Sequence, residues 1–460
     1  MEKDIIGVLN EIGGTPFGRF FIPGHKGRPY PEGGENIGAF EKALDGIYPF
    51  DVTEIDDTDN LNYPSGVLRR AEQTAAEAFQ TEYTIFSVNG SSAGVISSVM
   101  TAVKANQKLL LPSNSHISCY YGALHSNCEV KRLYIKDFMG GVSAREIKEA
   151  IDGENNIAAC VITSPTFFGN CADWDEIVPI LHSKGIKVIA DESHGTHIRF
   201  SDKYPKSALE CGADLVIHSG HKTIEGLTQT SMLHINSKDI DPDDVRFCMR
   251  TITSTSPSYV LTGSLYRAVK GLKNLPEKLE RIYELRESLT EDLSGMEHFS
   301  VLNYPRQDPF KFAVECRCDR NMAVKLLTEE YEIIPEMIWG PVLVFMFGQG
   351  TTPEDIARIR EAFLVMDSIL SEKTPLTVRK MPHSHFEMKI SQAALTHNEK
   401  VKLQDSPGRI SADFIGTYPP GAPVIVPGEI ITREIADFIA SAENVTGLCE
   451  NNTKIRVVRE

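Results

Sequence analysis

The sequence predicts an α/β protein with a mainly parallel β-sheet flanked by helices. Between about residues 67 and 275, short apolar runs alternate with helical stretches, a pattern typical of buried parallel strands joined by helices. One complete unit is visible, because residues 173–176 (Asp-Trp-Asp-Glu) open a helix, Gly185 ends it, and a strand follows. The predicted strands are YTIFSV (83–88), KLLL (108–111), AACVIT (158–163), KVIADE (187–192) and DLVIHS (214–219).

The rest of the chain differs in composition from this segment. Residues 1–66 are rich in Gly, Pro, Asp and Asn, which predicts an extended arm with many turns and short elements. A charged segment at 274–296 has helical periodicity and predicts an exposed connecting helix. Beyond it, residues 312–318 and 342–347 have the pattern of strands, and residues 352–355 form a capping-box variant that predicts the start of another helix.

These shifts divide the chain into four predicted regions. A length of 460 residues leads us to expect two or three structural units rather than one. The regions are an N-terminal arm (1–66), a large α/β domain (67–275), a small α+β domain (276–370) and a C-terminal region (371–460), in whose tail prolines exclude regular helix.

Composition and charge narrow the class of protein. The chain has 47 basic and 63 acidic residues and a net charge of −16, which argues against nucleic acid as a partner. No apolar run approaches the length of a spanning helix, and the N-terminus lacks the pattern of a signal peptide, so no membrane association is expected. Nine cysteines without a CxxC pair indicate free thiols, no bound metal and a cytoplasmic protein.

Lys222 is the first candidate for chemistry. It follows the predicted strand DLVIHS in the segment HSGHKTIEGLTQTSMLH. A phosphate-binding P-loop is excluded, since position 215 is Leu and position 221 is His where that motif needs Gly and Lys. A lysine just beyond a buried strand is placed to lose water, which would lower its pKa and make its amine a nucleophile toward an aldehyde. The alternative is a solvated surface lysine.

Asp191 is the second candidate and ends another predicted strand, in KVIADESHGTHIRF. The carboxyl ends of parallel strands meet at one ligand-binding edge, so Asp191 and Lys222 are expected to lie together. That arrangement suits a carboxylate facing a pyridinium nitrogen and a lysine bonded to the cofactor aldehyde. The competing interpretation is a metal site formed by Asp191, His194 and His197.

The third candidate is the turn that follows the strand YTIFSV. Residues 89–94 read Asn-Gly-Ser-Ser-Ala-Gly and precede a helix. Small residues at a helix N-terminus present N–H groups, hydroxyl groups and the positive end of the helix dipole to a phosphate. The alternative is that Ser91 is only an N-cap.

Together these segments resemble the Orn/Lys/Arg decarboxylase family of pyridoxal 5'-phosphate (PLP) enzymes, which have the aspartate aminotransferase fold (fold type I), with a seven-stranded type of sheet. The resemblance extends to IPGHKGR (22–28), DVTEIDDTDNLNYPSG (51–66), SPTFFG (164–169) and YPPGAPVIVPGE (418–429), and so covers nearly the whole chain. It implies that residues 67–275 are the PLP-binding domain and that the chain is the compact form of the family, without the receiver-like domain of larger members.

The resemblance also implies roles for individual residues. Lys222 would bind PLP covalently, Asp191 would pair with the pyridinium nitrogen, and His221 or Lys222 would return a proton to the substrate α-carbon. The implied cofactor-binding residues are Ser91, Ser92, Ala93, His116, Asp191, His194, Ser219 and Lys222.

His116 corresponds to a family histidine that stacks on the cofactor ring, although a structural role is the alternative. Two departures from the family pattern accompany it. Ile117 replaces the lysine of the family's His-Lys-Ser motif, and Glu225 stands where relatives often have Pro. Neither residue takes part in the expected covalent chemistry.

The activity that the resemblance implies is decarboxylation of a basic L-amino acid. Arginine is the first choice, giving agmatine and CO2 for polyamine biosynthesis, because compact members that resemble this chain are mostly arginine decarboxylases. Lysine or ornithine are the next choices. Transamination or side-chain cleavage with the same cofactor, and a non-catalytic binding protein of the same fold, stay open as alternatives.

The acidic segment DVTEIDDTDN (51–60) is the last candidate. It is too polar for a core, and a cationic substrate tail needs carboxylates. Relatives are dimers whose active sites draw on both subunits. We therefore predict that the arm closes the site of a partner chain in a homodimer or larger homo-oligomer, with Glu54 or Asp57 facing the basic group of the substrate. The alternative is a solvated loop.

Overall fold

The computed structural model describes residues 3–14, 23, 39–371 and 380–459. Its largest sheet has seven strands in the order β1-β7-β6-β5-β4-β2-β3. Strand β7 is antiparallel to both of its neighbours, and the other pairs are parallel. The strands are β1 Tyr83–Ser87, β2 Lys108–Pro112, β3 Glu129–Leu133, β4 Ile157–Thr163, β5 Lys187–Asp191, β6 Leu215–Ser219 and β7 Ser231–Ile235. The predicted α/β class and the five predicted strands are confirmed.

Both faces of this sheet are covered. Along β5, Val188 and Ala190 belong to one buried apolar cluster and Ile189 to another, as the alternation of side chains across a strand requires. The first nine helices are α1 Ile5–Gly14, α2 Ala39–Ile47, α3 Val67–Phe79, α4 Gly90–Ala102, α5 Ile117–Ser126, α6 Ala144–Ile151, α7 Trp174–His182, α8 Pro242–Arg250 and α9 Tyr259–Gly271, with short 3-10 turns at Ile198–Phe200 and Leu272–Asn274.

The N-terminal arm contains a helix that was not predicted individually. Helix α1 is one of the short elements expected in this arm; it packs against α9 and buries Ile5, Val8, Leu9 and Ile12. The spacing of these four residues is that of one helical face. The sequence therefore contained a signal for this helix just before the stretch that is rich in glycine and proline. The segment IPGHKGR lies outside the described residues except for Pro23.

A second, separate sheet has four antiparallel strands in the order β10-β11-β9-β8. Its elements are α10 Leu275–Asp292, β8 Phe299–Leu302, β9 Lys311–Cys316, α11 Arg320–Glu329, β10 Met337–Trp339, β11 Val342–Met346 and α12 Pro353–Ile369. The capping box at Thr352 and Asp355 is confirmed. The prediction that the charged helix is exposed was wrong in part, because α10 buries one face that includes Leu279 and Ile282.

The C-terminal region packs on the edge of the large sheet near β3. Its elements are α13 Ile390–Leu395, β12 Asn398–Lys402, a 3-10 turn at Leu403–Asp405, β13 Ile415–Thr417, β14 Pro423–Ile425, α14 Arg433–Ser441, β15 Val445–Thr446 and β16 Lys454–Val458. A buried ion pair between Arg132 of β3 and Glu429 joins it to the large sheet. The division of the chain at residues 66, 275 and 370 stays a prediction. Within the described ranges, no helix is both long and apolar enough to cross a membrane.

Candidate active site

A cavity of about 290 Å³ opens at the carboxyl edge of the large sheet. Strands β4 and β5 end at this cavity with Thr163 and Asp191, and Lys222 follows the end of β6. This edge is where parallel α/β sheets bind ligands. The predicted site residues that line the cavity are Ser91, Ser92, His116, Asp191, His194, His221 and Lys222. The structure therefore brings together residues that are up to 131 positions apart in the sequence.

Lys222 has the environment of a nucleophilic amine. Its Nζ atom lies 3.1 Å from Nε2 of His194. Burial lowers the pKa of Lys222 below its ordinary value, although the negative charges of Asp191 and Glu336 oppose the shift. A lowered pKa raises the fraction of neutral amine, which is the form that reacts with an aldehyde.

Asp191 is buried at the end of β5 and is held in one orientation. The hydroxyl group of Ser193 donates a short hydrogen bond to its Oδ1 atom. Ser193 also lines the cavity, so this contact lies beside the space where a ligand would sit. A carboxylate fixed in this way can keep a nearby ring nitrogen protonated.

His116 is fixed by the turn that starts α5. Its Nδ1 atom accepts the backbone N–H of Ser118 at 3.2 Å and lies 2.8 Å from the Ser118 hydroxyl. The backbone of Gly421 packs on the other edge of the ring, since an added Cβ there would lie 3.0 Å from the ring. Burial lowers the pKa of His116. The imidazole is therefore a neutral, immobile ring at the wall of the cavity.

The C-terminal region supplies part of this wall. No role in the site was predicted for its residues. Tyr418 and Pro420 line the cavity, and the carbonyl of Gly421 accepts the backbone N–H of Ile117 at 3.0 Å. The signal was the segment YPPGAPVIVPGE, which carried part of the family resemblance without an assigned role.

The start of α4 fits a phosphate group. The N-cap is Asn89, whose side chain makes no capping hydrogen bond, so the interpretation of Ser91 as an N-cap was wrong. Ser91 and Ser92 stand at the second and third helical positions, where backbone N–H groups have no partner within the helix. The buried hydroxyl of Ser219 also has no hydrogen-bond partner among the described residues, although Ser219 does not line the cavity. Ala93 is buried one position farther along α4.

The metal interpretation of Asp191, His194 and His197 was wrong. His194 contacts Lys222 through Nε2 and Lys311 through Nδ1. His197 points elsewhere, because its Nε2 atom pairs with Asp308 at 2.9 Å. In the part of the chain that the structure describes, no cluster of three metal-binding side chains occurs.

His221 is committed to a backbone contact. Its Nδ1 atom lies 3.2 Å from the carbonyl oxygen of Thr230. A carbonyl only accepts, so Nδ1 carries the proton. Burial also lowers the pKa of His221, which leaves Nε2 unprotonated near neutral pH.

The two predicted substrate-binding acids do not line the cavity of their own chain. Asp57 is exposed. The Oε2 atom of Glu54 accepts the Thr53 hydroxyl at 2.5 Å, and its Oε1 atom is buried without a partner among the described residues. Nearby Asp59 is structural, because its carboxylate accepts the backbone N–H of Gly66 at 2.7 Å beside the start of α3.

The two departures from the family pattern are accommodated locally. Ile117 is the first residue of α5 and is partly buried. Glu225 forms an ion pair of 2.6 Å with Lys278 of α10. Neither side chain lines the cavity.

The seven-stranded sheet, with a desolvated lysine and a buried aspartate at its carboxyl edge, defines a protein of fold type I. Comparison with known proteins agrees with this class. The structure of a lysine decarboxylase from Francisella novicida superposes with a TM-score of 0.81 and 18% identity, covering 99% of this chain and 81% of that one.

The chain belongs to the Orn/Lys/Arg decarboxylase family. The family's major-domain model matches residues 17–318, and its C-terminal-domain model matches residues 373–449. An arginine decarboxylase of Bacillus anthracis is 30% identical over 447 residues, which is 92% of this chain and 89% of that protein. The inducible lysine decarboxylase of Escherichia coli K12 is 23% identical, over 84% of this chain and 68% of that protein.

Proposed function

We propose that this protein is a PLP-dependent decarboxylase that converts L-arginine to agmatine and CO2. The observation that carries the proposal is that the desolvated amine of Lys222 and the buried carboxylate of Asp191 line the same cavity at one edge of the sheet. PLP, when bound, draws electrons from the α-carbon of an amino acid and so stabilises the carbanion left by loss of CO2.

Residues at this edge of the sheet would together hold the cofactor. Lys222 would bind the cofactor aldehyde covalently, and Asp191 would keep a proton on the pyridine nitrogen. His116 would stack on the ring. The phosphate would be held by the N-terminus of α4, with Ser91, Ser92 and Ala93, and by Ser219. The unpaired hydroxyl of Ser219 would gain a charge-assisted hydrogen bond in this arrangement.

Lys222 is the better candidate for returning a proton to the α-carbon. His221 has its single proton on Nδ1, which donates to the carbonyl of Thr230, so its Nε2 atom has none to give. Lys222 can carry a proton once its amine is free of the cofactor, and it already lies in the cavity.

The cavity favours decarboxylation over transamination. A transaminase keeps the substrate carboxylate and normally holds it with an arginine, but no arginine is among the described residues that line the cavity. A carboxylate that is left poorly solvated loses CO2 more readily.

The identity of the relatives supports arginine as the substrate, and the position of the acidic arm supports an active site shared between two subunits. The arginine decarboxylase relative is 30% identical and the lysine decarboxylase relative 23% identical. The acidic arm that carries Glu54 and Asp57 lies outside its own chain's cavity, which is compatible with its reaching the cavity of a second subunit in a cytoplasmic homodimer.

Product analysis tests this function. The protein is loaded with PLP and incubated separately with arginine, lysine and ornithine labelled with 13C in the carboxyl group. We expect labelled CO2 and agmatine in equal amounts, and a kcat/KM for arginine at least about tenfold above the values for lysine and ornithine, a difference of about 1.4 kcal/mol. Lys222→Ala is the inactive control. A keto acid product would identify a transaminase, and the absence of both products would contradict catalysis.

A further inference from the structure

Thr163, the last residue of β4, lines the cavity. Its hydroxyl oxygen is buried and has no hydrogen-bond partner, and no other described residue that lines the cavity has a buried side-chain polar atom in this state. Thr166, which also lines the cavity, instead donates its hydroxyl to the carbonyl of Met139 at 2.8 Å. Buried polar atoms in native proteins nearly always have a partner, so an unpaired hydroxyl on a cavity wall points to contact with a bound ligand.

The Thr163 side chain stands beside Asp191. The two residues are paired across β4 and β5, and the backbone N–H of Ser164 donates to the carbonyl of Asp191 at 3.1 Å. Paired residues on neighbouring strands face the same side of a sheet, and both line the cavity. Threonine is branched at Cβ and adopts few rotamers, so the position of its hydroxyl is restricted before any ligand binds.

The strand order fixes the side of Asp191 on which Thr163 lies. Strand β5 lies between β6 and β4. The groups proposed to bind the phosphate are on the β6 side, because Ser219 ends β6 and an added Cβ at Gly94 of α4 would lie 3.0 Å from Ile217 of β6. Thr163 ends β4 and is therefore on the opposite side.

The covalent structure of PLP has a matching asymmetry. Its phosphate arm and its 3-oxygen are attached on opposite flanks of the line that joins the ring nitrogen to the aldehyde carbon. With the nitrogen at Asp191 and the phosphate on the β6 side, the flank that carries the 2-methyl group and the 3-oxygen faces β4. A methyl group accepts no hydrogen bond, whereas an anionic oxygen is a strong acceptor.

We infer that Thr163 is a further cofactor-binding residue, whose hydroxyl donates to the 3-oxygen of PLP. This contact holds the flank of the ring that faces away from the phosphate. The inference rests on the proposed function in that PLP occupies this cavity, but it does not depend on which amino acid is decarboxylated.

The neighbouring donors are already engaged. The Ser193 hydroxyl donates to Oδ1 of Asp191, and Nε2 of His194 lies 3.1 Å from the amine of Lys222. Thr163 can therefore donate to the cofactor without giving up a hydrogen bond, and the bond satisfies a hydroxyl that otherwise has no partner among the described residues.

A pair of cofactors tests the inference. Dissociation constants of the cofactor-free protein are measured by fluorescence titration with PLP and with 3-deoxypyridoxal 5'-phosphate, which lacks the 3-oxygen. In Thr163→Val a methyl group replaces the hydroxyl, and the affinity for PLP is expected to fall about tenfold or more. The affinity for the 3-deoxy analogue is expected to change by less than about twofold, since that ligand offers no acceptor to lose.

Three further variants separate the hydroxyl from packing. Thr163→Ser keeps the hydroxyl and is expected to keep the wild-type preference for PLP over the analogue. Thr163→Ala removes the hydroxyl without adding a methyl group and is expected to lower that preference as Thr163→Val does. Thr166→Val, whose hydroxyl bonds elsewhere, is expected to leave it unchanged.

The outcomes distinguish this inference from the proposed function. If wild type binds PLP, an unchanged PLP affinity in Thr163→Val and Thr163→Ala would overturn the inference alone. So would an equal loss of affinity for PLP and for the analogue, which would indicate packing or a contact with Asp191. A wild-type protein that binds neither compound would contradict both.

Discussion

Nη1 of Arg132 lies 3.0 Å from Oε2 of Glu429, and both side chains are almost completely buried. The same guanidinium group donates to the carbonyl of Val424 at 3.2 Å and packs on the rings of Tyr120 and Tyr134. The pair joins strand β3 to the C-terminal region. Glu429 lies eight residues after Gly421, whose backbone packs on His116. The ion pair therefore holds in place the segment that forms one wall of the cavity.

Replacing Glu429 by Gln is expected to destabilise the protein strongly. The variant leaves the buried Arg132 guanidinium without a counter-charge, and breaking a buried pair in this way costs about 3–5 kcal/mol. Urea denaturation monitored by circular dichroism measures the loss. The exposed pair Arg145–Glu149 provides the control, since Glu149→Gln is expected to leave the unfolding curve in place. Equal curves for both variants would show that the Arg132–Glu429 pair does not hold the C-terminal region.

Asp191→Asn is expected to affect turnover more than cofactor retention. An amide cannot hold the ring nitrogen protonated while electrons flow into the ring, so kcat is expected to fall by about a hundredfold or more. The absorbance of bound PLP and the rate of CO2 release are measured on the same preparation. A coloured protein with kcat near that of the wild type would contradict the role of Asp191.

Ser92→Ala is expected to weaken cofactor binding. A charge-assisted hydrogen bond to a phosphate is worth about 1.5–3 kcal/mol, which corresponds to a loss of roughly one to two decades in PLP affinity. Titration of the cofactor-free protein, followed by fluorescence, gives the dissociation constant. Ser368→Ala on the exposed side of α12 is the matched control. A Ser92→Ala dissociation constant equal to that of the control would show that α4 does not hold the phosphate through this residue.

The double variant Glu54→Gln, Asp57→Asn tests the role of the arm. If these carboxylates face the substrate guanidinium across a subunit boundary, the KM for arginine is expected to rise at least about tenfold, because a sheltered carboxylate–guanidinium contact contributes a few kcal/mol. The spectrum of bound PLP is expected to stay unchanged. Asp56→Asn, in the same exposed loop, is the control. An unchanged KM, or an active monomer in sedimentation analysis, would refute the arm as the tail-binding element.

The sheet and the position of Lys222 were predictable because they depend on short-range patterns. Apolar runs such as DLVIHS are buried on both faces, and parallel strands bring their carboxyl ends to one edge. The prediction failed for β3, whose sequence EVKRL is charged because this strand lies at the edge of the sheet. Strand β7, SMLHI, was not predicted; it overlaps the end of the segment HSGHKTIEGLTQTSMLH that carries Lys222.

Contacts between distant segments were not predictable from spacing. His194 and His197 have the local pattern of metal ligands, but their partners Lys311 and Asp308 lie at the start of β9 and just before it, more than 110 positions away in the sequence. A lysine at the start of the apolar strand KFAVEC was a local hint of a buried charge. Its partner, His194, is not visible from that segment. Entry of the acidic arm into the cavity of a second subunit stays a prediction.

The most direct test of the proposed function is to identify the lysine that binds the cofactor. The PLP-loaded protein shows a visible absorbance band, which borohydride reduction should remove while fixing one pyridoxyl group to each chain. Digestion and mass spectrometry then locate the modification. We expect modification of Lys222 alone, and no fixed cofactor in Lys222→Ala. A pyridoxyl group on Lys311 or on any other lysine, or a protein that binds no PLP, would contradict it.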